Sequence, residues 1–184
     1  MFVKSGLNHS RGIGSGYQSS GLREYTLSGV ASDLFQGAPV KLVNGNTLSV
    51  AVEGEDAIGV FQGINFVDNS GEPRFRNFME ASTPTKPNEK ITALVMVDPS
   101  VTFHIPANAA ADSSDIGSIF ALTGETTGNT MTGQSDAVVD VVSGSTTAAL
   151  GSVEVVGIVP EVQGTADANA PVLEVRLINH ALRG

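Results

Sequence analysis

Residues 57–75 read AIGVFQGINFVDNSGEPRF. Ile58, Val60, Ile64 and Phe66 fall on one parity with Gln62 among them, the period-2 pattern of a strand that buries one face. Asp68-Asn69-Ser70-Gly71 then packs four turn-forming residues together, and a second strand begins near Arg74. The stretch predicts a hairpin arm. Nothing in it could attack a substrate, so its information concerns shape.

The same grammar extends in both directions. Upstream, YTLSGVA (25–31) and PVKLV (39–43) read as strands. Asn44-Gly45, a strong two-residue hairpin signal, leads into TLSVAVE (47–53). Downstream, strands are predicted over 74–79, 91–97, 101–105, 117–122, 136–142, 150–159 and 172–179. Ten or so short strands at this spacing predict an all-β fold, a β-barrel or β-sandwich. Only PANAAADSSD (106–115) offers helical propensity, enough for one or two turns. TPTKPNEK (83–90) and VQGTADANAP (162–171) read as loop excursions of the kind that make contacts.

At 184 residues the chain can bury one core, and composition marks no second domain. Residues 1–24 hold five glycines and five serines among scattered apolar residues, which predicts a flexible N-terminal arm on a body spanning 25–184. The chain has no cysteine, so packing or assembly must supply what disulfides or thiolate metal sites would. MFVKSGLNHSRG lacks the apolar run of a signal peptide, and no stretch holds 18 uninterrupted apolar residues. Synthesis in the cytoplasm, away from membranes, is therefore expected.

The net charge of −9 is unevenly spread. Residues 1–23 carry Lys4, Arg11 and Arg23 and no acid, whereas 91–175 carry ten acids and neither Lys nor Arg. An acidic body repels phosphate backbones, which argues against nucleic acid as a partner. The acids themselves read as a solvated face or as charge complementary to a partner.

The search for chemistry returns mostly turns. His9, His104 and His180 lack metal-ligand spacing, and no Gly-x-Ser-x-Gly elbow is present. Gly12-Ile13-Gly14-Ser15-Gly16 has no preceding strand or following helix to make a phosphate loop. In DNSGE (68–72), Arg74 and Arg76 arrive where a calcium loop needs further oxygens. EGED (53–56) sits between two strands as a turn, and Asn8-His9-Ser10 is a glycosylation acceptor only on a secretory route. No cofactor, metal or catalytic residue is expected, and the chain is not expected to be an enzyme.

From Tyr25 to Ala31, through DLFQGAPVKL and IGVFQGINFVDNSGEPRF, the chain resembles the small Gly-rich head decoration, or capsid cement, proteins of tailed bacteriophages. DPSVTFHI (98–105), DIGSIFAL (115–122), GNTMTGQSDAVVD (128–140) and VRLINHAL (175–182) are similar to that group in order and spacing. Two places depart from it. Ala38 stands before Pro39 where the group commonly has an acid, and RFRNF (74–78) replaces a stretch with bulkier aromatics. The resemblance implies a homotrimer on the outside of the virion's icosahedral head, bridging subunits of the major capsid protein and touching neighbouring decoration subunits. The arm, with Lys4, Arg11, Tyr17 and Arg23, is then expected to lie against the capsid or an adjacent copy. The competing expectation is a tail or surface-fibre domain that binds a cell-surface glycan; the absence of Trp and the presence of only two Tyr count against it.

Overall fold

The computed structural model describes residues 6–11, 21–44, 46–147, 152–159 and 170–181. The fold is all-β, and its one described helical element is a single 3-10 turn at Ser113–Asp115. One sheet has five strands in the order β1 (Asn8–Arg11), β11 (Thr102–Pro106), β18 (Val172–Leu177), β17 (Val153–Ile158) and β12 (Ile119–Phe120). The other has seven. Its path runs β2 (Leu22–Leu27), β10 (Ile91–Met96), β7 (Gly59–Val67), β5 (Pro39–Val43), β6 (Thr47–Val50) and β3 (Gly29–Val30), with β8 (Pro73–Arg76) paired to the far half of β7. Three short pairs complete it: β4 (Leu34–Phe35) with β9 (Phe78–Met79), β13 (Leu122–Thr123) with β16 (Val138–Val139), and β14 (Gly128–Asn129) with β15 (Gln134–Ser135). Every predicted strand has an observed counterpart, and several two-residue strands lie beyond them.

Two hydrophobic clusters replace the single expected core. The first gathers Leu7, Phe103, Ile105, Phe120, Val153, Val155, Leu173 and Val175 under the five-stranded sheet. The second gathers Leu34, Val40, Leu48, Phe61, Ile64, Phe66 and Ala93 on the seven-stranded sheet. They share a wall. Val60 and its partner Met96 belong to the first cluster, while the adjacent Phe61 and Val95, also paired, belong to the second. This end of β7 and β10 is therefore apolar on both faces, which is why GVF shows no alternation.

The alternation of 57–67 is broken by a β-bulge. Gly63 pairs with Leu94 and Phe61 with Val95, so Gln62 is the extra residue. The bulge shifts the parity, so that Phe61, Ile64 and Phe66 all face the second core while Val60 faces the first. The expected single parity of Ile58, Val60, Ile64 and Phe66 is corrected accordingly. Gly59 opens the strand at φ 155°, where a Cβ would lie 2.0 Å from the Met96 carbonyl oxygen. Only glycine permits that approach.

The boundary of the arm is also corrected. Leu7 is 1% exposed within the first core, and its N–H donates to the Gly37 carbonyl at 2.9 Å. Asn8–Arg11 then pairs with β11, and 22–24 belong to β2. A single large apolar residue and free strand edges suffice to draw these parts of 1–24 into the body. Residues 106–115 give a strand end, a loop and one 3-10 turn. Asp112 caps that turn through the Ser114 N–H, and Asp115 returns a bond to the Asp112 N–H.

Candidate adhesion surface

Of the four sequence-selected residues, two lie in described strands. Lys4 and Tyr17 lie outside the described residues. Arg11 ends β1 opposite Thr102 in the five-stranded sheet, and Arg23 is exposed on β2 opposite Val95 in the seven-stranded sheet. Strand pairing thus places the two arginines in different sheets. His104 lies within β11 and His180 is buried, and no group of three metal-ligating side chains occurs among the described residues.

The acids mostly build loops. Asp68 accepts the N–H groups of Ser70 and Glu72 at 2.9 and 3.0 Å and the Arg74 Nε at 2.9 Å. The arginine thus occupies the position a cation would need. These bonds, that of Arg74 first, hold the Asp68 carboxyl below the usual carboxylate range. Asp98, Asp112 and Asp140 are likewise lowered, each chiefly by a serine hydroxyl two or three residues on: Ser100, Ser114 and Ser143. In the EGED turn, Glu55 pairs with Lys41 and accepts the Val52 N–H, which lowers its pKa too. Glu125 differs. It is 7% exposed, and burial pushes its carboxyl up, with Glu53 adding a smaller push in the same direction.

Two of the seven exposed large apolar side chains among the described residues, Phe75 and Met131, mark a different surface. Thr92, Asn65 and Phe75 stand in one row across β10, β7 and β8. Beneath Phe75 is Gly63, where a Cβ would lie 2.7 Å from the ring. The missing side chain lets the ring lie against the sheet, yet Phe75 stays 61% exposed. Beside it runs a groove of about 340 Å³ edged by Arg74, Lys90 and Pro73. Lys90 makes no ion pair with any described carboxylate. Arg76 lies over two rings, 5.8 Å from the Phe66 centroid and 5.7 Å from that of Phe78, and Phe78 stacks on Phe35 at 6.1 Å. The strand RFRNF thus alternates a cation held on aromatic rings with a phenyl ring left in the open.

Asn77, two residues beyond Phe75, ties this strand to a second exposed feature. The hairpin of β14 and β15 turns through Thr130–Gly133, and Met131 at its apex is 95% exposed. The turn is held from several sides. Asn129 Oδ1 accepts the N–H groups of Met131 and Thr132 at 2.8 and 3.3 Å. Asn77 Nδ2 donates to the Thr132 carbonyl at 2.7 Å, and Gln36 N–H to that of Gly133 at 2.9 Å. Gln36 Oε1 accepts from Gln134 Nε2 at 3.0 Å. Gly133 sits at φ 73°, a left-handed conformation that favours glycine, and a Cβ there would press on the Asn77 amide that holds the turn. Two exposed apolar groups are therefore carried on bonded supports that Asn77 links.

Sequence reasoning passed over both. Phe75 was visible as an aromatic between two arginines, but its exposure depends on the pairing of β7 with β8. Met131 carries no signal of its own, because the bonds that set its turn come from residues up to 98 positions away, at Gln36.

No known protein family, no curated protein and no solved structure matches the chain. Among the described residues no helix is long and apolar enough to cross a membrane.

Proposed function

We propose that this chain is a structural virion protein, a decoration or cement protein on the outer surface of a tailed-phage head. It stabilises junctions between major capsid protein subunits once the shell has expanded. The observation that carries this is the linked pair of exposed apolar groups, Phe75 and Met131, on β supports, with Lys90, which pairs with no described carboxylate, beside Phe75. Such a surface suits adhesion: a rigid aromatic anchor loses little entropy on docking, and a cation beside it adds orientation. The groove side meets the major capsid protein. Lys4, Arg11, Tyr17 and Arg23 supply a second contact, to the shell or to an adjacent copy, and the molecule self-associates as a homotrimer.

The mechanism needs no bond chemistry. A ligand that binds only the expanded shell lowers the free energy of that state by mass action, and many symmetry-related copies add their weak contacts. The protein is then neither an enzyme nor dependent on a cofactor. The test is binding of purified protein to expanded and unexpanded heads stripped of decoration. Saturable binding to expanded heads alone is expected. Phe75→Ala forfeits about 1.5 kcal/mol or more of apolar burial and so weakens affinity about tenfold. Absence from purified virions, or equal binding to both kinds of head, refutes the proposal.

A second reading has one observation in its favour. The open Phe75 ring beside Asn65 and Thr92 resembles the aromatic-plus-amide platforms on which sugars stack, which supports a tail or fibre domain that binds a glycan. A glycan array probed with native protein and with Phe75→Ala separates the two readings.

A further inference from the structure

We propose that Met131 is an oxidation site, at which a peroxide converts the thioether to a sulfoxide without any opening of the fold. This stands independently of the virion reading. The chain's methionines are Met1, Met79, Met96 and Met131, and Met1 lies outside the described residues. Met79 is 2% exposed in the second core and Met96 is 6% exposed in the first. Met131 is 95% exposed. A peroxide can reach the two buried sulfurs only when the surrounding sheet opens, whereas the apex sulfur is accessible at every moment.

The turn adds a second condition. Its backbone is fixed by Asn129, Asn77 and Gln36, so the conformation of Thr130–Gly133 does not depend on the Met131 side chain. Oxidation therefore changes the chemistry of the apex and leaves its shape. A sulfur lone pair attacks one peroxide oxygen, the O–O bond breaks as the S–O bond forms, and the departing hydroxide takes the remaining proton to leave as water. Sulfur is oxidised by two electrons and the peroxide is reduced by two. The product replaces an apolar tip with a polar, hydrogen-bond-accepting one, reversible by methionine sulfoxide reductases.

The test is hydrogen peroxide treatment of the native full-length protein in a time course, with peptide mapping by mass spectrometry. Met131 is expected to gain oxygen at least about tenfold faster than Met79 or Met96. The melting temperature of the singly oxidised species should be unchanged. Met131→Leu should remove the fast phase and leave the slow ones. Oxidation of Met79 or Met96 as fast as Met131 overturns the proposal, as does a fall in melting temperature that accompanies oxidation at Met131 alone.

Discussion

Leu7 offers the sharpest check on how the N-terminal segment is anchored. It is 1% exposed, lies in the first core with Phe103 and Val175, and is followed directly by the strand that pairs with β11. Truncation to alanine removes three carbons from a site walled by a sheet that can relax only in part. The cost is about 2–5 kcal/mol, with a central expectation near 3. For a chain of this size that corresponds to a fall in melting temperature of about 6–12 °C. Urea denaturation followed by circular dichroism reads it directly, as a lower midpoint with an unchanged slope. A loss below about 0.5 kcal/mol, the scale of a surface substitution, would refute the placement of Leu7 in the core. The result also decides how the proposed capsid contact is to be tested. Deleting residues 1–20 removes Leu7 and β1, so lost occupancy on heads could reflect a damaged body. Deleting 1–5, and separately replacing 12–20 with a Gly/Ser linker, leaves Leu7 and β1 in place. Full occupancy in both variants would reject Lys4 and Tyr17 as capsid contacts, and full occupancy of Arg11→Ala/Arg23→Ala would reject the two arginines.

Two other predictions concern the body. Because burial raises the Glu125 pKa, the protonated form favours folding. That contribution is complete below the ordinary carboxyl pKa and is lost as pH rises through the raised folded value. Glu125→Gln should therefore raise the melting temperature at pH 7 and confer little or no gain at pH 4; an equal gain at both would contradict burial as the cause. Gly59→Ala forces a methyl group towards the Met96 carbonyl in the shared wall, and a loss of about 3 kcal/mol or more is expected by chemical denaturation. A loss under 1 kcal/mol would mean that the wall yields there.

The strands were legible because period-2 runs and turn residues alternate along the chain, and the hairpin of β7 and β8 falls where DNSG marks it. The twofold core was not. It follows from the bulge at Gln62 and from Val60 and Phe61 facing opposite ways, and a period count assumes an unbroken strand. The only trace in sequence is Phe61, a large apolar residue off the expected parity. Leu7 was hidden by its neighbours, since a lone leucine among Gly and Ser gives no pattern. Ala38 makes sense in hindsight: it is 0% exposed in the second core, where an acid would be buried. Of the candidate surface, the residue types were readable in RFRNF, but the meeting of Asn77 with Thr132 spans 55 positions and belongs to tertiary structure alone.

The position of β18 sets a timetable for biogenesis. It lies inside the five-stranded sheet, between β11 and β17, although both of those strands precede it in the sequence. Leu173 and Val175 reach the first core only after they have cleared the ribosome. Until then the five-stranded sheet lacks the strand between β11 and β17, and β1 and β11 wait for residues about seventy positions beyond β11. A nascent polypeptide stalled before residue 172 would leave that sheet open to chaperones and proteases.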